Sequence, residues 1–302
     1  MDLFNLPQRD SPARHNQWFY YNGNDKWQMW KKPKGFGAFF ISICGGGGGG
    51  GGGMLQGAGN GRSGGSGGCG AATCNAFFPE WILPDTLYIL VGQGGAGGAA
   101  NTNGANGNIS FVCVTPNSDP RFVFMASGAN GTIGGPCGAN TTPTAVGRPQ
   151  YANSNNAMLC TNGIVFGING SLSSIGGVPT GGTGASLSIN QPTMLPGTGG
   201  GGLGPATTVA QGGSFSGFSG IWQVNMTTNT NANTNGEMHK SKRFSLQAAL
   251  GGIANSTIGA GSTLRGGDGT FGCGGGGGGA TPDSNTGAGG KGGDGLVVII
   301  GM

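Results

Sequence analysis

Apolar positions in this chain come as short dense islands separated by glycine, not as helical stripes. FGAFFISIC (36–44), LYILV (87–91), ISFVCV (109–114), RFVFMA (121–126) and GLVVII (295–300) stand out, with weaker islands GIVFGI (163–168) and SLSIN (186–190). IWQVNM (221–226) and RFSLQAAL (243–250) complete the set. These runs are rich in β-branched and aromatic residues and bounded by turn residues, so they predict strands. ISFVCV and RFVFMA are expected to form a hairpin across TPNSDP, and FGAFFISIC is expected to pair with GLVVII. Only SLQAAL reads as a helical turn.

The glycine between the islands has a period of its own. In GAGGKGGDG (287–295), Gly287, Gly290 and Gly293 form one line three residues apart, and Gly289, Gly292 and Gly295 a second. Ala288, Lys291 and Asp294 form the third line. GRSGGSGGCG (61–70) and GQGGAGG (92–98) repeat the pattern, and Gly45 to Gly53 is an unbroken run. Three is the period of the polyproline II helix, which makes no internal hydrogen bonds. Its N–H and C=O groups must find partners outside. Two bare edges let one such helix lie against two others, while the third edge carries a side chain outward or into a gap. Collagen needs one strict glycine line and much proline, and these tracts contain no proline. The predicted fold is therefore mainly β: a sandwich-like body with packed glycine helices of the polyproline II type and almost no α-helix.

Composition narrows the function. Glycine supplies 73 of 302 residues and charged residues only 8 %, against roughly 7 % and 25 % in average proteins. Net charge is +4, too dilute for a nucleic-acid footprint. No apolar run approaches the ~20 residues of a membrane helix, and the opening residues do not read as a signal peptide. Neither nucleic-acid binding nor membrane insertion is expected. The cysteines at 44, 69, 74, 113, 137, 160 and 273 have no framework or zinc spacing and read as small buried packers.

Residues 1–34 differ from the remainder, 35–302, and read as an aromatic, basic attachment arm. Its candidate contact residues are Trp18, Tyr20, Tyr21, Trp27, Trp30, Lys31 and Lys32. The alternative is a first hairpin turning at Asn22-Gly23, and one hairpin can serve both roles. Residues 128–250, rich in Asn, Thr, Ser and Gly, are expected to form long loops or an inserted lobe.

Three stretches resemble the glycine-rich domain found in bacteriophage tail-fibre, adhesin and other virion proteins. They are WQMWKKPKGFGAFFISICGGGGGGGGG, LPDTLYILVGQGGAGG and the close, GGDGTFGCGGGGGGATPDSNTGAGGKGGDGLVVII. They cover about a quarter of the chain, and 128–250 carries no such likeness. The resemblance implies virion structure or host-surface recognition. Expected partners are a tail adaptor or capsid, a host surface glycan or outer-membrane protein, and further copies of the chain in a trimer. A capsid decoration or head-fibre protein anchored by residues 1–34 is the other reading. Both place the chain in the virion, at a tail appendage or on the head.

Catalytic signals are weak. Gly92 to Gly97 fits G-x-G-x-x-G after a strand, but GAANTNGANGN follows it, a poor helix, and the nearest later acid, Asp119, sits beyond a strand in a proline turn. Lys291 lies between glycines, so the phosphate-loop pattern fails. Asp268 and Asp294 sit in GGDG tetrapeptides, where a carboxylate bonding its own turn is expected. The chain is expected to be no enzyme, with no cofactor, no metal and no catalytic residue.

Overall fold

The computed structural model describes residues 15–55, 60–119, 121–127, 132–138, 164–168, 174–188, 197, 199–202, 210, 212–213, 215–216, 265–280 and 287–302. Two antiparallel sheets carry the fold. The five-stranded sheet runs β1 (His15–Tyr20), β11 (Leu296–Gly301), β3 (Ala38–Cys44), β4 (Thr73–Pro79), β8 (Ile164–Ile168). The four-stranded sheet runs β2 (Gln28–Lys31), β5 (Thr86–Leu90), β6 (Phe111–Cys113), β7 (Val123–Ala126). A short parallel pair joins β9 (Leu187–Ser188) to β10 (Phe215–Ser216).

Period-two alternation builds the core between the sheets. Phe39, Ile41 and Ile43 of β3, Val297 and Ile299 of β11, and Cys74, Ala76 and Phe78 of β4 point inward. Leu87 and Ile89 of β5, Val112 of β6 and Phe124 of β7 meet them. The expected pairing of β3 with β11 is present, with Ile41 opposite Ile299, and so is the β6–β7 hairpin. The reverse face of β3 and β11 buries Cys44, Leu296 and Val298 against Cys273, with Trp18 and Ile300 packed beside them.

Two expectations are corrected. β1 and β2 do not pair with each other: β1 pairs with β11 and β2 with β5, so the Asn22-Gly23 segment links two sheets. Each strand gains a more apolar neighbour, LVVIIG or TLYIL, than the other would give it. β4 has no counterpart among the predicted strands, because TCNAFFP shows only one apolar pair at its end. The described parts of 128–250 supply β8 and further extended tracts bonded to the sheet and bundle. IWQVNM, RFSLQAAL, Cys160 and residues 1–14 lie outside the described residues.

Beyond the sandwich the chain continues as a bundle of glycine tracts. β3 runs into 45–53, β5 into 92–101 and β7 towards 132–138, while 63–69, 102–108 and 287–295 lead into β4, β6 and β11. The 45–53 tract is the axis. Its N–H groups donate in threefold rotation: Gly46, Gly49 and Gly52 to Asn108, Ala105 and Thr102; Gly47, Gly50 and Gly53 to Gly293, Gly290 and Gly287; Gly48 and Gly51 to Cys69 and Ser66. Its carbonyls accept in the same rotation. Gly95, Gly98 and Asn101 donate to Gly47, Gly50 and Gly53; Gly275 and Gly278 to Gly48 and Gly51; Gly135 and Gly138 to Gly49 and Gly52. Every N–H from Gly46 to Gly53 is thus paired outside its own tract. A three-residue repeat with no bond inside the tract is the polyproline II geometry.

Six tracts close a ring around this axis, in the order 92–101, 102–108, 132–138, 63–69, 273–280, 287–295, each bonded to the next. Their directions alternate. The axis donates only to its antiparallel neighbours and accepts only from its parallel ones. Antiparallel strand order at the root hands this alternation to five of the six. At roughly 3.1 Å per residue the axis is about 28 Å long.

Glycine is needed here for space, not for unusual torsions. The positive-φ glycines of the described residues are Gly23, Gly35, Gly181 and Gly272, and none lies within the axis or the six tracts around it. A Cβ on Gly46, Gly49 or Gly52 would lie 2.1, 2.0 or 1.9 Å from the carbonyl oxygens of Gln93, Ala96 and Ala99. The other two lines meet Cys273, Gly276 and Gly279, and Ile133 and Pro136, as closely. Every side of the axis is backbone, so any side chain would displace a tract.

Candidate functional site

The root of the bundle is sealed by two serines. Ser110 Oγ donates to the Cys44 carbonyl at 2.7 Å and accepts from Gly92 N–H at 2.9 Å. Ser127 Oγ accepts the Ser110 N–H at 3.0 Å. Both are buried. The hydroxyls satisfy backbone groups where the side-chain-filled sandwich narrows to bare backbone. Nothing in the local sequence marks these serines, because their partners are 66 and 17 residues away.

The edges of the bundle end on side-chain oxygens. Asn106 Oδ1 accepts from Gly134 N–H at 3.0 Å, and Asn103 Oδ1 from Cys137 N–H at 2.8 Å. Three residues apart, the two amides stand on one line and replace a missing carbonyl row. Asp294 Oδ1 accepts Gly94 N–H at 2.8 Å, and Asp268 Oδ1 accepts Lys291 N–H at 2.6 Å. The GGDG carboxylates thus bond a neighbouring tract, in place of the expected turn of their own. Lys291 Nζ reaches Asp294 at 2.9 Å, and Arg265 pairs with Asp268. Both pairs are spaced i, i+3, which a threefold helix sets on one line.

Beside these pairs runs a groove of about 640 Å³, lined in part by Gln93, Ala96, Ala105, Asn108, Arg265 and Lys291. Its cations are neutralised by Asp268 and Asp294, so it carries no charge signature. Gln93 to Gly97 line it, and Gly92–Gly97 is an extended tract, not the start of a helix. Among the described residues no group of His, Cys, Asp and Glu can hold a metal ion. No helix among them is long and apolar enough to cross a membrane. Cys44, Cys69, Cys74, Cys113 and Cys273 are buried, and Cys137 is half-buried. Burial pushes the Cys44 and Cys113 thiols up to about 12.

The far end of the bundle gathers the connections. Gly53 and Ser63, Asn101 and Thr102, Gly138, Val178 to Gly182, Ala280 and Gly287 all lie there, one tract length from the sandwich. Asn101 bridges two of them, its amide accepting from Leu55 N–H at 2.8 Å. Among the described residues the ends of the tracts therefore meet at one end of a hydrogen-bonded bundle. A model described as a glycine-rich domain matches residues 23–300. The chain belongs to the glycine-rich domain family. No curated protein matches it by sequence.

In this glycine-rich domain the predicted contact residues are dispersed. Trp18 packs on the outer face of the five-stranded sheet, and Tyr20 lies beside Phe271 with ring centroids 6.0 Å apart. Tyr21 packs against the main core and donates to Asn24 at 3.0 Å. Trp27 is half-buried. Trp30 is 1 % exposed, set edge-on to Phe39 at 5.4 Å, and is a core residue. Lys31 is exposed. Lys32 turns back onto the protein, donating to the Leu83 carbonyl at 2.9 Å and pairing with Asp85 at 3.2 Å. Strands β1 and β2 of this segment thus join both sheets, and Phe19 and Trp30 are part of the core between them.

Proposed function

We propose that this chain is a structural protein of a bacteriophage virion, a tail-fibre or adhesin component that presents the loops at its bundle tip to the host surface. The observation that carries the reading is the gathering of the tract connections at one end of a rigid bundle, opposite the sandwich. A tip of this kind separates recognition from support: loops vary without disturbing the backbone lattice that holds them. The resemblance of the opening, second and closing glycine stretches to phage tail proteins supports the same reading. Binding, not catalysis, is its activity, and the ligand is a host surface glycan or an outer-membrane protein. Trimerisation would multiply weak tip contacts by effective concentration.

Immunogold or cryo-EM localisation on intact particles tests the proposal. Label at the tail appendage, with host adsorption blocked by antibodies to the tip, is the expected result. Label spread across the head would make the chain a capsid decoration or head-fibre protein instead.

A further inference from the structure

We infer that Trp81 anchors a docking surface for a protein partner at the end of the sandwich opposite the glycine bundle, and that this partner offers an apolar pocket rimmed by carboxylates. The inference rests on the reading of the chain as part of a larger assembly, and it names the surface by which the chain is held.

Trp81 is 74 % exposed, the most exposed large apolar side chain among the described residues. It sits in a short 3-10 turn, Glu80–Ile82, between β4 and β5. The turn is fixed from three sides. Glu80 N–H donates to Gly37 O at 3.0 Å, and Leu83 N–H to Glu80 O at 3.2 Å. Lys32 Nζ spans the turn, donating to Glu80 O at 3.3 Å and Leu83 O at 2.9 Å while pairing with Asp85. Leu83 itself is buried at 3 %. A tryptophan held out on an immobilised turn is pre-organised for contact, and tryptophan is among the residues most enriched at binding hot spots. Tyr20 and Phe271, also exposed, lie against each other; Trp81 has no such ring contact.

The surroundings fix the chemistry. Met302, 48 % exposed, is joined to the same end by bonds between its backbone and Gly37 and Ala38. Lys31 and Lys34 are exposed there. Asp85 is engaged by Lys32, so Lys31 and Lys34 stand against the single further carboxylate of Glu80 in the Trp81 turn and leave this end positive. An apolar centre flanked by lysines matches an apolar pocket with acidic edges. The opposite placement of bundle and Trp81 leaves the tip free when this end is held.

The test uses the full chain expressed in trans during infection by phage lacking its own copy, followed by immunoblotting of purified particles. Unmodified chain is expected on particles. Trp81→Ala and the double variant Lys31→Glu/Lys34→Glu are expected to be incorporated about tenfold less or worse, while Trp81→Phe recovers most of the loss. Unchanged thermal unfolding of each variant shows that the fold is intact. Normal incorporation of Trp81→Ala and the lysine variant overturns the docking inference and leaves the proposed function standing. Normal incorporation of Trp81→Ala with lost adsorption to host cells also overturns it, by making Trp81 a receptor contact. Absence of the unmodified chain from particles overturns the proposed function, and the docking partner with it.

Discussion

The carboxylate of Asp294 accepts the backbone N–H of Gly94 at 2.8 Å, across 200 residues of sequence. A side chain here does what a further glycine tract does elsewhere in the bundle. Asn103 and Asn106 repeat the device on another edge, accepting from Cys137 and Gly134. Loss of such an acceptor strands a backbone donor at about 1 kcal/mol or more. Asn103→Ala/Asn106→Ala is therefore expected to lower unfolding free energy by about 2 kcal/mol and to speed amide exchange at Gly134 and Cys137. Asp294→Asn keeps an acceptor oxygen and is expected to cost less than Asp294→Ala. Chemical denaturation and hydrogen exchange check both.

Glycine substitutions separate space from torsion. Gly49→Ala drives a Cβ to 2.0 Å from the Ala96 carbonyl oxygen, with tracts on every side. The expected loss is about 3 kcal/mol or more. At Gly37 nothing lies within 4 Å of the added atom, and Gly37→Ala is expected to be neutral or to stabilise by up to about 1 kcal/mol. Gly35 is equally open but has φ of +89°. There alanine meets torsional strain alone, at roughly 1 kcal/mol. Thermal melts of the three variants should fall in the order Gly37, Gly35, Gly49.

Asp119 is held down to about 2 by the Arg121 side chain, which hydrogen-bonds its carboxylate, with help from the Arg121 N–H and the guanidinium charge. A depressed carboxyl contributes stability above its unfolded value, about 3.9, and loses it as pH falls towards 2. The pair is surface-exposed, so the effect on stability is small. Carbon-detected NMR titration should place the Asp119 midpoint near 2 and move it towards 4 in Arg121→Ala. An unmoved midpoint in that variant would assign the shift to something other than Arg121.

Alkaline stability has its own signature. The buried Cys44 thiol is raised to about 12 by desolvation, partly offset by a backbone bond from Leu296. An unfolded thiol ionises near about 8.5, so between that pH and 12 the unfolded state releases a proton that the folded state keeps. Stability should decline as pH rises through this window. Cys44→Ala is expected to be less stable at neutral pH, by about 1 kcal/mol, yet to show a shallower alkaline decline. Urea titrations at pH 7, 9 and 10.5 would reveal the crossover in slope.

Most strands were legible because alternation is a local signal: Phe39, Ile41 and Ile43 announce one face without knowing their partners. β4 was not, since Thr73 and Asn75 fill its polar-looking first half and only the sheet around it makes those positions buried. Trp30 read as a surface contact because an aromatic beside two lysines looks like a binding patch. Its burial against Phe39 depends on β2 joining a sheet whose other strands lie more than fifty residues on.

By itself the sequence determined the mainly β body and the threefold glycine tracts, because both periods are properties of consecutive residues. It also determined that the tracts pack, since only bare backbone tolerates a neighbour at such distances. The tertiary structure alone decided which tract lies against which. A glycine run carries no side chain to name its partner, so neighbours are chosen by the strands at its root and by the few Ser, Asn and Asp oxygens at its margins. Those oxygens bond groups far off in sequence, and their role exists only once the bundle has closed.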